Sequence, residues 1–409
     1  MSVFQQGLTG LNASQRNLEV ISNNISNANA AGFKASFARF SEIYNSAAQV
    51  STGSGTQVAD INRQFTQGNV LSTNNPLDFA INGEGFFKVQ SDKGNVIYTR
   101  NGQFGLDKDG FVVNSLNERL QVLELNKDTG KFSEKVTDLR IVKDAISPKP
   151  TTDFNTKVNL DKRAVTINSA TTPFSQDNPN SYTSSLTQTI FTDLGEQRLA
   201  QVYFAKTGES QWNVHANISG QAANQSISLG QINFDPTSGL PTTQDLQFEV
   251  TAQQMAGLGV GFSKALEFDF SGVTQFASNF NIFNLGQNGY DSAAFKNFIV
   301  DGDGQLTLNY ANGQNQVLAR IPLFKFNNPD GLQPIGGSGF LATLEAGSEV
   351  ISSVGDAAFG TIRAGAIEEA NVDLTSELVA MITAQRIYQA NSQSIKTQDA
   401  LLQTVTNLR

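Results

Sequence analysis

Cysteine is absent from this chain of 409 residues, and histidine occurs once, at His215. The lack of cysteine excludes disulfides, thiolate nucleophiles and cysteine-ligated metals. One histidine is too few for a histidine-rich metal site and makes a Ser–His triad a poor candidate. We therefore predict a protein that is not an enzyme, with no catalytic residue, no cofactor and no metal, although carboxylate catalysis stays open.

Charge is also scarce. Asp, Glu, Lys and Arg make up 16% of the chain, against about 25% in ordinary soluble domains. The net charge is −9, and no run of Lys and Arg marks a nucleic-acid surface. No apolar run approaches the ~20 residues of a membrane-spanning helix. We expect no nucleic acid and no membrane insertion, and a surface of amides and hydroxyls that can pack against copies of itself.

What the chain does contain is the same heptad pattern at both ends, which predicts helices over residues 3–27 and 373–409. Near the start, the apolar positions of the two rows are Phe4, Leu8, Leu11, Leu18 and Ile25. Near the end, they are Leu374, Leu378, Met381, Tyr388, Ile395 and Leu402. Such rows pack against a partner helix, so we predict that these residues form an assembly interface, within one subunit or between neighbours.

The apolar face of each predicted helix is narrow, because the second heptad row soon becomes polar. Burial of an apolar side chain contributes at most roughly 1.5–3 kcal/mol, whereas each ordered residue costs about 1–2 kcal/mol of backbone entropy. We therefore expect ends that are loose in the monomer and become helical among many copies. The competing interpretation is an ordinary bundle within one domain.

Between the two ends the sequence is typical of strands and hairpin turns, with Asn82-Gly83, Asn101-Gly102 and Asn312-Gly313 as turn signals. The predicted fold is α+β and predominantly β, with amphipathic helical termini enclosing two nested β domains, the second inserted in the first. The predicted segments are a terminal coiled-coil domain (1–32 with 361–409), a connector (33–72), an outer β domain (73–146 with 282–360) and an inserted surface β domain (147–281).

Several motifs have a plain structural explanation that we favour over chemistry. Residues 301–304 (DGDG) and 107–110 (DKDG) suit β-turns better than calcium loops, since the later ligand positions are missing. The glycines of 257–261 lack the spacing of a phosphate loop. We interpret His215 as a sheet residue, and Glu368, Glu369 and Asp373 as a capping group at the start of a helix.

Several segments of the chain resemble the family of bacterial flagellar rod and hook proteins. Residues 7–34 (GLTGLNASQRNLEVISNNISNANAAGFK) are similar to its N-terminal signature, and residues 365–409 to its C-terminal signature. Residues 78–87 (DFAINGEGFF) and 98–104 (YTRNGQF) resemble its core domain. Within the family, residues 270–276 (FSGVTQF) and the chain length are similar to hook members.

The resemblance implies a structural subunit in the flagellar hook, outside the cell. Such proteins leave through the flagellar type III export apparatus without a cleaved signal peptide. They polymerise into a curved hollow tube that acts as a universal joint and transmits motor torque to the filament. The implied partners are copies of the chain, the hook cap, the distal rod and the hook–filament junction proteins.

Two alternatives stay open. A rod component of the same apparatus would share the terminal signatures but lack the large insert. A secreted β-rich hydrolase or adhesin would need a carboxylate whose mutation abolishes turnover.

Overall fold

The computed structural model describes residues 2–43, 55–126, 129–220, 226–243, 246–353, 355, 356 and 358–407. The chain divides into two compact units. Unit 1 consists of Met1–Val142, Asn297–Asn309 and Asn315–Arg409, and unit 2 of Lys143–Lys296 and Tyr310–Gln314. Unit 2 is therefore inserted into unit 1 along the chain.

The elements run as follows. The helices are α1 (Ser2–Ser26), α2 (Ala252–Gly257) and α3 (Leu374–Asn407). The first strands are β1 (Ser36–Glu42), β2 (Thr56–Arg63), β3 (Val70–Ser72), β4 (Phe79–Asn82), β5 (Phe87–Gln90), β6 (Val96–Thr99), β7 (Gly105–Leu106), β8 (Val112–Val113), β9 (Arg119–Leu125) and β10 (Phe132–Asp138). The next are β11 (Asp153–Asn159), β12 (Ser184–Phe191), β13 (Gln197–Gly208), β14 (Gln211–Ile218), β15 (Ile227–Asn233), β16 (Gln247–Val250), β17 (Leu266–Asp269) and β18 (Asn281–Gln287). The last are β19 (Phe295–Val300), β20 (Gln305–Tyr310), β21 (Asn315–Arg320), β22 (Phe324–Phe326), β23 (Gln333–Gly336), β24 (Gly339–Leu341), β25 (Glu349–Ile351), β26 (Thr361–Ala364) and β27 (Ala366–Glu368).

Unit 1 is held together by pairing between strands from its two distant stretches. Its main sheet runs in the order β20-β21-β9-β5-β6-β24-β23. Two smaller antiparallel pairs, β26 with β4 and β27 with β3, join the strands just before α3 to the first half of the chain. The turns use the glycines that the sequence suggested, since Gly83 and Gly313 have φ of 110° and 81°. The C-terminal strands are thus fixed to the β domain before α3 begins.

Unit 2 has its own apolar core. Two four-stranded sheets supply most of the residues of this core, and their strand orders are β16-β17-β11-β18 and β12-β13-β14-β15. Trp212, Phe154, Phe204, Phe268 and Phe270 are all 0% exposed. The four phenylalanine rings contact one another at centroid distances such as 5.0 Å between Phe154 and Phe268. Buried aromatic side chains of this size contribute much of the stabilisation of a protein core.

The predicted fold class is confirmed: the molecule is mostly β, with helical ends around nested β units. The predicted division into four segments stays a prediction, because the two units group the helical ends with the outer β domain. The predicted connector contains the antiparallel hairpin of β1 and β2. Residues 44–54 of that connector lie outside the described residues.

Candidate assembly interface

The two terminal helices pack against each other within one chain, in antiparallel orientation. A Cβ added to Gly7 would lie 2.8 Å from Ile395 Cγ1, and one added to Gly10 would lie 3.0 Å from Asn391 Nδ2. At the other end of the pair, Asn24 Nδ2 donates to Glu377 Oε1 at 3.0 Å. Glycine therefore sits where the helices approach most closely, because a side chain there would separate them.

On α1 the contact line is not the predicted apolar row, whereas on α3 it includes Ile395 of that row. On α1 it includes Gly7, Gly10 and Ser14, whose Oγ accepts a hydrogen bond from Asn391 Nδ2 at 3.4 Å. Gly7 and Ser14 follow the Phe4 row by three residues, which rotates their line by about 60° around the helix. On α1 the residues of closest approach are thus small or polar, and Phe4 and Leu8 stay exposed beside them.

The eleven residues predicted for the interface divide by exposure. The exposed members are Phe4, Leu8, Leu374, Leu378 and Leu402. The half-buried members are Leu11, Leu18, Ile25, Met381, Tyr388 and Ile395. Within one chain this set is only partly covered, and its role in assembly with other copies stays a prediction.

Helix α3 carries an exposed apolar stripe, of which the heptad pattern predicts Leu374 and Leu378 but not Ile382. Leu374, Leu378 and Ile382 are 43%, 49% and 52% exposed. Their spacing of four residues advances each by about 40°, so they form one continuous face. Of the residues of α3 whose burial the structure describes, Ala384 is the one that is fully buried. Helix α3 is therefore largely uncovered by its own chain.

Both ends are helical in the structure, and they contact each other through α1 and α3. Glycines and Ser14 allow a close approach, and side-chain amides join the two helices. The expectation that the ends are loose in the free monomer counted only apolar residues. It stays a prediction.

A buried ion cluster joins the helical ends to the β domain. Lys34 Nζ donates to Glu368 Oε1 at 2.6 Å, and Arg100 Nη1 donates to Glu368 Oε2 at 3.2 Å. The Lys34 and Glu368 side chains are 0% exposed. The backbone N–H of Gly68 also donates to Glu368 Oε1, at 2.9 Å. Burial lowers the pKa of the Lys34 ammonium, and the Glu368 carboxylate opposes that shift.

Amide side chains complete the same junction. Asn24 donates to the Ser36 carbonyl at 2.8 Å and accepts from the Ser36 N–H at 2.9 Å. Asn371, just before α3, accepts from the Ala35 N–H at 2.7 Å and donates to the Gln64 carbonyl at 2.7 Å. The segment that leaves α1 and the segment that enters α3 are therefore fixed to each other and to β2.

The interpretation of Glu368 and Glu369 as capping residues is wrong. Glu368 lies in the buried cluster, and Glu369 Oε2 accepts from Asn69 Nδ2 at 2.9 Å. Asp373 does cap α3, since its Oδ1 accepts from the Thr375 N–H at 3.0 Å. Lys34, Arg100 and Glu368 are far apart in sequence, and no periodic pattern marks them.

The other candidate motifs occupy turns and a sheet. Asp301 Oδ1 accepts from the N–H groups of Asp303 and Gln305, and Asp107 Oδ1 does the same for Asp109 and Phe111. Both carboxylates thus serve their own turns. Residues 257–261 begin with Gly257, the last residue of α2, and Gly259 and Gly261 have positive φ.

His215 lies in β14 and stacks on Phe174 at a centroid distance of 4.1 Å. Burial lowers the pKa of its imidazole. It therefore serves as a packing residue of the sheet.

Family models match along most of the chain. Residues 4–34 match the flagella basal body rod protein, and residues 80–171 match the flagellar hook protein FlgE/F/G D1 domain. Residues 159–290 match the flagellar basal body protein FlaE D2 domain, and residues 363–408 the flagellar basal body rod FlgEFG protein C-terminal model. The last match includes α3 and the strands that hold Glu368.

Whole-chain relatives agree with the models. The flagellar hook protein FlgE of Escherichia coli K12 is 34% identical over 424 residues, covering 99% of this chain and all of that protein. The hook protein of Brucella melitensis is 31% identical, covering 100% of this chain and 98% of that one. The crystal structure of Helicobacter pylori flagellar hook protein FlgE2 shares the fold, with a TM-score of 0.56 at 12% identity, over 72% of this chain and 99% of that one.

In the part of the chain that the structure describes, no helix is both long and apolar enough to cross a membrane. The terminal signatures, the nested β units and the full-length similarity to several hook proteins lead to one conclusion. The chain belongs to the flagellar hook protein FlgE family, whose members are structural proteins of the bacterial flagellum.

Proposed function

We propose that this chain polymerises through its helical ends into the curved, hollow tube of the flagellar hook. The tube would act as a universal joint that transmits motor torque to the filament. The observation that carries the proposal is the uncovered apolar surface on both helices, Phe4 and Leu8 on α1 and Leu374, Leu378 and Ile382 on α3. Apolar side chains that are exposed to water raise the free energy of the subunit. Burial against another surface removes that cost.

The partner for this surface is another copy of the same chain. The exposed apolar residues on both helices recur every four residues, and such faces suit packing among identical helices. Closure into a ring or helix follows when one patch of a subunit meets a different patch of the next. In the tube the helix pairs would line the channel, with unit 2 on the outside.

The low charge of the chain suits the mechanical role. Contacts among amides and hydroxyls can break and re-form with little electrostatic cost, whereas surface ion pairs contribute little stability. We expect the helical layer to resist twisting and the β units to slide as the tube bends. Curvature would then be set by contacts that unit 2 makes.

The remaining partners are proposed from the family. We expect contacts with the distal rod at one end and with junction proteins at the other, under a hook cap during growth. Delivery would be through the flagellar type III export apparatus, without cleavage of a signal peptide. The chain would have no enzymatic role in this process.

A charged side chain on the exposed apolar stripe of α3 tests the proposal. Leu378→Asp places a carboxylate on a half-exposed surface, so we expect the free energy of unfolding of the monomer to change by no more than ~0.5 kcal/mol. The same change should block polymerisation, because the carboxylate would be buried between copies. Sedimentation and negative-stain microscopy of the purified protein measure it.

The control is Thr383→Asp, on the same helix but about 140° from Leu378 around its axis. We expect this variant to polymerise better than Leu378→Asp. Normal tubes from Leu378→Asp would contradict the proposed interface.

A further inference from the structure

Unit 1 contains an aromatic cavity that the helix packing does not use. Its volume is about 400 Å³, within the range of about 300–1,000 Å³ usual for ligand sites. Phe65, Phe86 and Phe326 line it with ring surface, and Phe65 meets Phe86 edge to face at 5.6 Å. The cavity has the size and surface to accept an aromatic side chain.

The charges around the cavity favour a carboxylate beside that ring. Arg100 and Lys325 line it together with one carboxylate, Glu84. Lys325 forms an ion pair with Glu84 and lowers the pKa of that carboxyl group. Glu368 forms ion pairs with both Arg100 and Lys34. The three cations Lys34, Arg100 and Lys325 therefore face two carboxylates, those of Glu84 and Glu368, and one positive charge is left in excess.

Arg100 also has unused hydrogen-bonding capacity. Arg100 is 2% exposed, and its Nε has no hydrogen-bond partner among the described residues. A buried cation with an unmet donor is stabilised by any carboxylate brought near it. A ligand that fits therefore carries an aromatic ring and a carboxylate a short distance apart.

The hairpin strand β1 presents this combination. Phe40 is 45% exposed, and Glu42, two residues later on the same face of the strand, is exposed as well. The other exposed phenylalanines of the described residues lack a carboxylate two positions away; they are Phe4, Phe37, Phe276 and Phe283.

The hairpin cannot fill the cavity of its own chain. Phe40 is opposite Val58 in the hairpin. Val58 precedes Phe65, at the cavity, by seven residues, which is ~23 Å of extended strand at about 3.3 Å per residue. The paired strands hold Phe40 at that distance, so the occupant must come from another molecule.

We propose that Phe40 of one copy inserts into the Phe65–Phe86–Phe326 cavity of a second copy, with Glu42 placed near Arg100 and Lys325. The contact rests on the proposed self-assembly and specifies one interface within it. It would connect the hairpin of each subunit to the β domain of a neighbour.

Cysteine pairs test the contact, because the natural chain has no cysteine to interfere. The variant carries Glu42→Cys together with Asn327→Cys, an exposed position at the cavity. Polymers form under reducing conditions and are then oxidised. We expect a ladder of disulfide-linked chains on a denaturing gel from the polymer and no ladder from the monomer. The matched control carries Glu42→Cys with Lys93→Cys, an exposed position elsewhere on unit 1, and should give no ladder.

A second measurement, the critical concentration for polymerisation, tests the contact even when the cysteine variant assembles poorly. We expect Phe40→Ala to raise the critical concentration for polymerisation about tenfold or more, and Phe37→Ala, on the same exposed strand, to leave it nearly unchanged. Polymers that form without a ladder, or equal critical concentrations for the two variants, overturn the docking contact. Failure of the unaltered chain to polymerise would instead contradict the proposed function.

Discussion

The interior of unit 2 and the contact between the terminal helices are stabilised in different ways. In unit 2, large rings such as Trp212 and Phe268 are removed from water completely. Between the helices, the closest approaches bring Gly7 to Ile395 and Gly10 to the amide of Asn391. Since stabilisation by burial grows with apolar area, we expect burial to stabilise unit 2 more than it stabilises the helix pair within one chain. A subunit built this way keeps its apolar surface for its neighbours.

The largest expected effect comes from damage to the core of unit 2. Trp212→Ala removes a fully buried indole, and we expect it to lower the free energy of unfolding of unit 2 by ~3–5 kcal/mol. Calorimetry should show one transition shifted down and the transition of unit 1 unchanged. Leu194→Ala, at an 83% exposed position of the same unit, is the control and should shift neither. A joint shift of both transitions would show that the units unfold together.

A smaller effect is expected at the junction beside the helices. Glu368→Gln leaves Lys34 and Arg100 buried without a carboxylate, and we expect a loss of ~3 kcal/mol in unit 1, since an amide still accepts hydrogen bonds. Urea unfolding followed by circular dichroism measures unit 1. Fluorescence of Trp212, the one tryptophan of the chain, reports unit 2 and should not change.

Glu369→Gln is the matched control for that prediction. Its carboxylate is only partly buried and accepts one hydrogen bond from Asn69, so the loss should stay within ~0.5 kcal/mol. Equal losses for Glu368→Gln and Glu369→Gln would contradict the assigned role of the buried cluster.

The smallest effect on unit 1 should follow from removing the insert. Lys149 and Tyr290 exchange two backbone hydrogen bonds, at 3.0 and 2.9 Å, so their Cα atoms lie about 5.5 Å apart. An Asn-Gly turn can therefore replace residues 150–289. We expect unit 1 to keep its stability within ~0.5 kcal/mol and the product to form straight tubes. Loss of polymerisation would show that the insert, and not only the helices, drives assembly.

How much of this could be predicted from sequence depends on whether the signal is local. The helices α1 and α3 and the strands beside Asn82-Gly83 carry repeating apolar positions or turn residues, so they could be predicted. The junction of Lys34, Arg100 and Glu368 could not, because its members are up to 334 positions apart. The orientation of the helix pair depended on the small residues beside the apolar row.

The central claim is that the helical ends are weakly held in one chain and firmly held among copies. Hydrogen exchange of backbone amides, compared between free subunit and polymer, tests it most directly. We expect amides of α1 and α3 to exchange much faster than those of β13 in the free subunit, and to become protected in the polymer. Protection of α1 and α3 in the free subunit equal to that of β13 would contradict the claim.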